Sequence, residues 1–466
     1  MMHGRFKKLD QESSWLEPAR QLRVVGEADV VVCGGGPAGF GAALSAARNG
    51  SKVILIERYG FLGGMATLSM VNLFAIRNLT PYDGEKLPLI GGIPQEFLQR
   101  VSALGGAILP DDALKLKESE PVVPSWSDYL LFDVELTKLV MVRMLREAGV
   151  TIILHSLVTG AITEDGRVKG LIIESKSGRE VVLAERVIDA TGDGDVAYLS
   201  GADFEHYLGE DTLPVTMIFS IGGADDKRVW EYLLNDPDLE ELLKKAPEYI
   251  AKPESVFRDI PYPLKIFKAR IPWVNERRYD QMIRPGQWWV WGLHLFKRNV
   301  VDASELTECE IVLRERVYET FVFLKNYLPG MENAYLDQTP VQVGIRESRR
   351  FHGEYTLTLD DIRSGREFDD GIARGRIKNR PPFHIPYRCL LPKKVDGLLL
   401  AGRCISITHE AATQVAPRNQ PTCMAIGEAA GAAAALSIKD GVSPRELNVE
   451  RLKRALVSQG AVLTGK

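Results

Sequence analysis

The chain has 466 residues, 45% of them hydrophobic, with 58 Lys and Arg against 62 Asp and Glu and a formal net charge of −4. That length and apolar share suit two globular domains with a common interface, and the balanced charge provides no global positive field to recruit nucleic acid or an anionic membrane. The five cysteines, Cys33, Cys309, Cys389, Cys404 and Cys423, form no CxxC or CxxxxC pair, which argues against a redox-active disulfide and against a bound metal.

Residues 1 to about 25 are polar and proline-interrupted, a lead-in to the core. Residues 1–9 carry Arg and Lys with no apolar run behind them, so a secretory signal is not expected and the expected compartment is the cytoplasm. No run is read as reaching the ~20 apolar residues of a membrane span. The alanine-rich stretch 429–436 is taken as part of an ordinary packed helix.

Residues 28–33 are an apolar strand. Gly34-Gly35-Gly36-Pro37-Ala38-Gly39 then turns into an alanine-rich helix, and 53–56 form a second strand tipped by Glu57. Gly34 permits the tight turn, Gly36 lets the backbone approach a pyrophosphate, and Gly39 lets helix and strand pack closely. The helix N-terminus faces the phosphate charge, and Glu57 can accept both hydrogen bonds of a ribose diol. This is a dinucleotide site in full βαβ context. Glu57 disfavours a 2′-phosphate by like charge, despite the adjacent Arg58. Pro37-Ala38 within the turn looks like the flavoprotein version. Gly63-Gly64, followed by Met65 and Ala66, leave room for a flavin ring, which a nicotinamide enzyme does not need here.

Residues 78–127 read as irregular cover with one helix near 95–104. Residues 133–148 repeat at helical period and stop at Gly149, and 151–154 form a strand. Residues 158–188 read as three strands turning at Glu164-Asp165-Gly166 and Lys176-Ser177-Gly178, a β-meander. From 201 to 385 the βα alternation lapses. Strands at 215–222 and 288–295, an acidic helix at 229–245 and a helix at 305–325 suggest an α+β substrate domain on a mostly antiparallel sheet. The chain then returns to the first domain with a strand at 395–401 and a helix at 422–436. The expected organisation is therefore α/β. A discontinuous Rossmann-like FAD-binding domain occupies 26–200 and 386–440, the substrate domain 201–385, and a helical tail 441–466. No second glycine turn in βαβ context is present, so electrons come from the substrate or a visiting reductant rather than from a resident NAD(P)H domain.

The chain resembles the FAD-dependent oxidoreductases of the glutathione-reductase-like superfamily over nearly its whole length. The likeness rests on the glycine turn, the Gly63-Gly64 loop, Ala190-Thr191-Gly192-Asp193, the segment around 344–350, and Gly402-Arg403 through His409-Glu410 to Pro421-Thr422-Cys423. It is similar in particular to a bacterial and archaeal subgroup of unassigned substrates. Between Glu410 and Pro421 this chain is longer than that subgroup, with Arg418 shifted toward the proline. The resemblance implies noncovalent FAD held by Gly34, Gly36, Pro37, Ala38, Gly39, Glu57, Arg58, Gly63, Gly64, Met65, Ala66, Val158, Ala190, Thr191, Gly192, Asp193, Gly402, Arg403, Thr422 and Cys423. It also implies free N–H groups at Thr422 and Cys423 facing the flavin's N1–C2=O edge.

Chemistry beyond the flavin has several candidates. His409 and Glu410 stand between the last flavin strand and helix; His409 suits proton removal while hydride leaves, and the alternative is a polar pair that organises the loop. Arg346, Arg349 and Arg350 lie on a strand-like segment. Arg346 and Arg350 share one face that could clamp a carboxylate, and a salt-bridged face is the alternative. His384, Tyr387 and Arg388, and the aromatics Trp288, Trp289 and Trp291, have structural roles as their plainer reading.

The leading functional expectation is removal of hydride from a small polar molecule bearing a hydroxyl, amine or carboxylate, with electrons passed to oxygen, quinone or another acceptor. The alternatives are reduction of an activated C=C bond, in the manner of fumarate reductases, and a non-catalytic flavin-binding protein. An RNA-modifying flavoprotein is disfavoured by the acidic balance. Homo-oligomerisation is left open.

Overall fold

The computed structural model describes residues 15–75, 79–107, 109, 129–229, 286–377, 379–414 and 416–465. Its largest sheet is built around the strand Arg23–Cys33, whose Val30, Val31 and Val32 are fully buried. A continuous apolar run of this kind belongs to a parallel strand covered on both faces. It pairs in parallel with Val53–Ile56 on one side and with Gly178–Asp189 on the other. Val53–Ile56 pairs onward with Thr151–Ile153. Leu157–Glu164, Arg167–Ser175 and Gly178–Asp189 form the expected antiparallel meander. Its first turn is made at Asp165 and Gly166, with φ of 49° and 75°.

Gly178–Asp189 is long enough to serve two partners along one edge. Its start pairs with Arg167–Ser175, and its end pairs in parallel with Leu398–Leu400. A strand from late in the chain therefore completes the sheet begun at its start, and the Rossmann-like unit is discontinuous. The helices Pro37–Arg48 and Gln420–Lys439 repeat the same closure, crossing backbone on backbone. A Cβ on Gly427 would stand 1.9 Å from the Ala38 carbonyl oxygen, and one on Gly431 would stand 2.1 Å from that of Ala42. Only glycine fits such a crossing.

The second core belongs to an antiparallel sheet ordered Trp288–Leu295, Val215–Gly222, Tyr335–Gln338. The helix Ala303–Tyr327, capped by Asp302, packs Leu313 and Val317 against Met217, Phe219 and Ile221. The second core includes Ile345, whereas Phe351, Leu357, Ile362, Phe383 and Ile385 are buried in the first. The chain thus passes from the second core back to the first between 345 and 351, whereas the sequence reading set that boundary at 386. The cause is the strand Arg349–Phe351, which pairs with Phe204–His206 just beyond the dinucleotide sheet. Residues 441–465 pack onto the first core rather than standing apart as a tail, because Leu447, Leu452, Leu456 and Leu463 are part of it.

The helix expected near 95–104 is Ile93–Ala103, and that at 133–148 is Val134–Glu147, whose first turn donates Leu136 N–H to Asp133 Oδ1 at 2.9 Å. The acidic helix expected at 229–245 lies, beyond Val229, outside the described residues. The expectation that no segment has the length and apolarity of a membrane span needs correcting. Gln420–Lys439 qualifies by length and composition, because its apolar positions extend well beyond 429–436. With 89% of its apolar window buried inside the fold, it is a core helix here.

That helix also carries Glu428, 1% exposed, whose Oε2 accepts the Ile93 N–H at 3.2 Å. Glu428 thereby caps the helix Ile93–Ala103, which begins at Gly92 with no side-chain cap of its own. Burial pushes the Glu428 carboxyl up to about 8. In the unfolded chain it titrates at about 4.3, so between the two values the native state binds the extra proton. Its contribution to stability is then fully present below the unfolded value and is lost as pH rises through about 8. Asp189, raised by burial to about 6, acts with the same sign over a lower window. Thermal midpoints should therefore fall between pH 6 and 8, and Glu428→Gln should flatten that fall; an unchanged slope would rule the assignment out.

Candidate functional site

Two connected cavities run along the carboxyl ends of the parallel strands, where α/β sheets place their ligands. The larger, about 670 Å³, lies between the glycine turn and the start of the last long helix. Gly34, Gly36, Pro37, Ala38, Glu57, Arg58, Gly64, Met65, Ala190, Thr191, Gly192, Gly402, Arg403 and Cys423 line it, all of them predicted contacts. Tyr59, Leu68, Arg418 and Gln420 line it as well. The smaller, about 380 Å³, adds Val158, Ser156 and Leu157, and shares Gly34, Glu57, Arg58 and Thr191 with the first.

Local geometry explains why this residue pattern makes a cleft. Gly34 has φ of 97°, and a Cβ there would strike the Ala190 carbonyl oxygen at 2.5 Å. The glycine turn and the Gly63-Gly64 loop approach so closely that a Cβ on Gly64 would lie 2.7 Å from the Gly36 Cα. Glu57, 6% exposed, accepts the Gly35 N–H at 2.6 Å on Oε2 and the Tyr59 N–H at 2.9 Å on Oε1. A carboxylate has about four acceptor positions, so two remain for a ribose diol. Asp189 holds the Ala190–Gly192 wall from beneath, accepting Thr191 N–H at 3.0 Å, its hydroxyl at 2.7 Å and Ala197 N–H at 2.8 Å.

Five predicted contacts line neither cavity. Gly39 is a packing position, where a Cβ would meet the Gly34 carbonyl oxygen at 1.7 Å, and Gly63 and Ala66 build the loop behind Gly64. Asp193 instead accepts Arg403 Nη2 at 3.1 Å and Ser348 Oγ at 2.6 Å. Thr422 requires a correction. The helix begins at Gln420, and Asn419 caps it: its Oδ1 accepts the Thr422 N–H at 3.0 Å and its carbonyl accepts the Cys423 N–H at 2.9 Å. Neither N–H is therefore free to face a flavin edge. The Cys423 thiol is pushed up to about 12 by burial, and Cys33 and Cys404 are also raised by burial, so all three are packing groups.

A third, narrow recess opens beside the first and shares Gly402, Arg403 and Arg418 with it. Arg346, Glu347, Ser348 and Arg350 line it. Their segment is not the strand expected; only Arg349–Phe351 is, because Ser348 and Glu347 turn inward to bond Asp193 and the Leu213 N–H. Arg349 points elsewhere, to Asp195 at 2.9 Å and over the Tyr198 ring.

His409 and Glu410 separate. Glu410 is exposed at the first turn of His409–Thr413 and lines none of the three cavities. His409 stands behind the third cavity, stacked on Tyr207 at 3.8 Å, with Nδ1 3.0 Å from Glu347 Oε2. A carboxylate only accepts, so Nδ1 carries the proton. Glu347 reaches the recess and His409 does not. Of the remaining candidates, His384 bonds the Phe368 backbone and burial lowers its pKa, Tyr387 donates to the Pro444 carbonyl, Arg388 pairs with Asp370, and Trp288 donates to Asp226. These roles are structural. Glu347, Ser348, Tyr59 and Gln420 are cavity-lining residues that the sequence reading did not single out. The arginine-rich run is the nearest signal for the first two.

The close-approaching glycine loops, the ribose acid and the cleft fit FAD, and they define a Rossmann-type dinucleotide-binding flavoprotein. Residues 29–456 match the family described as FAD dependent oxidoreductase, and the chain belongs to that family. Two curated relatives, both the cytochrome-type fumarate reductase of Shewanella frigidimarina, are 41% identical over 86 residues, 18% of this chain. The match spans only 14% of their length. A geranylgeranyl bacteriochlorophyll reductase-like protein from Thermoplasma acidophilum is 14% identical, with TM-score 0.44 over 93% of this chain and 84% of that one. The p-nitrophenol 4-monooxygenase of Pseudomonas putida is also 14% identical, with TM-score 0.42 over 93% and 84%.

Glu57→Ala should weaken FAD retention by the loss of one to two charge-assisted hydrogen bonds, ~1.5–3 kcal/mol each. FAD titration of stripped protein reads this directly, and wild-type affinity in the variant would exclude Glu57 from the site.

Proposed function

We propose that this FAD-dependent oxidoreductase removes hydride from a small polar organic substrate bearing a hydroxyl, amine or carboxylate, and passes the electrons to oxygen, quinone or another carrier. One observation carries the reading. The arginine-lined recess meets the cofactor cleft at Gly402, Arg403 and Arg418, whereas the adenosine side is marked by Glu57 and Val158 in the smaller cavity. The cleft thus has a dinucleotide end and a substrate end.

When bound, FAD supplies the two-electron chemistry. The chain's own residues hold and orient the reactants. Glu57 takes the ribose, the glycine turn accommodates the pyrophosphate, and Arg403 stands at the boundary between cofactor and substrate. Glu347 lines the recess and, paired with Arg350 and with His409 through Nδ1, fixes the charged wall there. The sequence contains one glycine turn in βαβ context, which supports electrons entering from the substrate rather than from a resident NAD(P)H domain.

The test is an anaerobic screen of FAD-loaded protein against hydroxy acids, sugars, polyols and amines, followed by admission of oxygen or a quinone. Bleaching of the visible flavin band by one class, and its return with the acceptor, is the expected result. A flavin that no donor bleaches, but that after photoreduction is reoxidised by an activated alkene, would reverse the direction. Acid denaturation should release all the yellow colour, since the thiols at the site are buried and protonated; colour retained on the chain would overturn noncovalent attachment.

A further inference from the structure

The recess beside the cleft is walled by Ile405 and Ile407 and rimmed by Arg346, Arg350, Arg403 and Arg418. A buried guanidinium costs free energy unless its N–H groups find acceptors. Arg350 is 3% exposed; its Nη1 reaches Glu347 Oε2 at a long 3.4 Å, and its Nε is buried with no acceptor among the described residues. Arg403 gives Nη2 to Asp193, and its Nη1 is likewise buried without an acceptor. The two carboxylates nearby are already shared. Glu347 also takes the Leu213 N–H at 2.6 Å and His409, and Asp193 takes the Ser348 hydroxyl. Two arginines from separate stretches of chain thus line one small cavity beside the cofactor cleft, and each keeps a buried N–H without an acceptor among the described residues.

Guanidinium N–H groups disposed in this way recognise planar or tetrahedral oxyanions, and a neutral ligand leaves them unsatisfied. We propose that the recess is an oxyanion subsite in which Arg350 and Arg403 hold a carboxylate or phosphate group of the substrate, so that the substrate is a small organic acid. This rests on the reading of the neighbouring cleft as the flavin site of a working oxidoreductase. The anionic end sits among the arginines and the reacting end projects past Gly402 and Arg403 toward the cofactor. Apolar Ile405 and Ile407 limit the recess to a compact group and exclude water that would screen the contact.

The experiment titrates FAD-loaded full-length protein with malonate, succinate and inorganic phosphate, with malonamide as the neutral control, and reads the flavin absorbance and the thermal midpoint. A saturable response to carboxylates or to phosphate, and none to malonamide, is expected; which anion binds identifies the group. Arg350→Lys keeps the charge but removes Nε, and should raise the dissociation constant by about tenfold or more at unchanged FAD content. Should that variant fail to fold, the double variant Arg350→Met with Glu347→Gln removes the buried pair without stranding a charge, and it should lose the response equally. The proposal falls if the anions do nothing to wild type, if both variants bind them normally, or if malonamide matches malonate. Anion binding without any bleaching donor would leave the subsite standing and remove the oxidative reading. Bleaching by neutral donors with no anion binding would do the reverse.

Discussion

The crossing of Pro37–Arg48 over Gln420–Lys439 is the constraint on which the rest of the structure depends. Ala38 and Ala42 present carbonyl oxygens where Gly427 and Gly431 present no side chain, and Gly41 does the same beneath the Met424 carbonyl. Small residues at such a contact let two helix axes approach more closely than ordinary side chains permit, and any added methyl must displace backbone rather than a rotamer. The consequence is positional. Pro37 and Ala38 at the start of one helix, and Gln420 and Cys423 at the start of the other, line the same cleft. Helix N-termini carry partial positive charge, and here two are brought to one elongated ligand site by packing alone.

A second tie runs across the site rather than beneath it. Asp193 follows the wall that Asp189 supports, and it collects Arg403 from the late part of the chain and Ser348 from the border of the substrate domain. Arg349 adds a bond to the Asp193 carbonyl and an ion pair to Asp195. Buried pairs of this kind contribute little net stability, because desolvation offsets the attraction, yet each specifies one arrangement of its partners. The arginines of the recess are thereby set relative to the cofactor wall through the carboxylate that Arg403 and Ser348 share.

The cofactor half of this molecule was legible because its constraints are local. A turn that needs positive φ, a backbone contact that admits no Cβ, and an acid at a strand tip all leave their mark within thirty-odd residues of sequence, and the meander announced itself through Asp165-Gly166 and Ser177-Gly178. The helix start at 420 was less visible. Pro421-Thr422 is a good start in isolation, but Asn419 is the better cap, and proline is tolerated anywhere in the first turn, where no intrahelical donor is required. The recess was hidden for a different reason. Arg346, Arg350, Arg403 and Arg418 meet only in the folded state, and the assignment of Glu347 as the inward carboxylate depends on a Leu213 N–H and a His409 ring contributed from elsewhere. Chain order placed Glu410 with His409 between the last flavin strand and helix, whereas the short helix turns it to solvent.

Joining early and late stretches of the chain in one sheet also makes the cleft a long-range construction. Gln420 bonds the Val71 carbonyl across 349 residues of sequence, and Leu398–Leu400 must reach Gly178–Asp189 before the sheet is complete. Closure over such separations carries a large entropic cost before any contact rewards it, so contacts of this range form late. During synthesis the glycine turn, its strand and its helix emerge early, with the buried face of that helix exposed until the last long helix arrives. The nucleotide cleft is therefore lined jointly by Gly34, Gly36 and Glu57 from the early stretch and by Gly402, Arg403 and Cys423 from the late one, so the glycine turn by itself is the motif without the site.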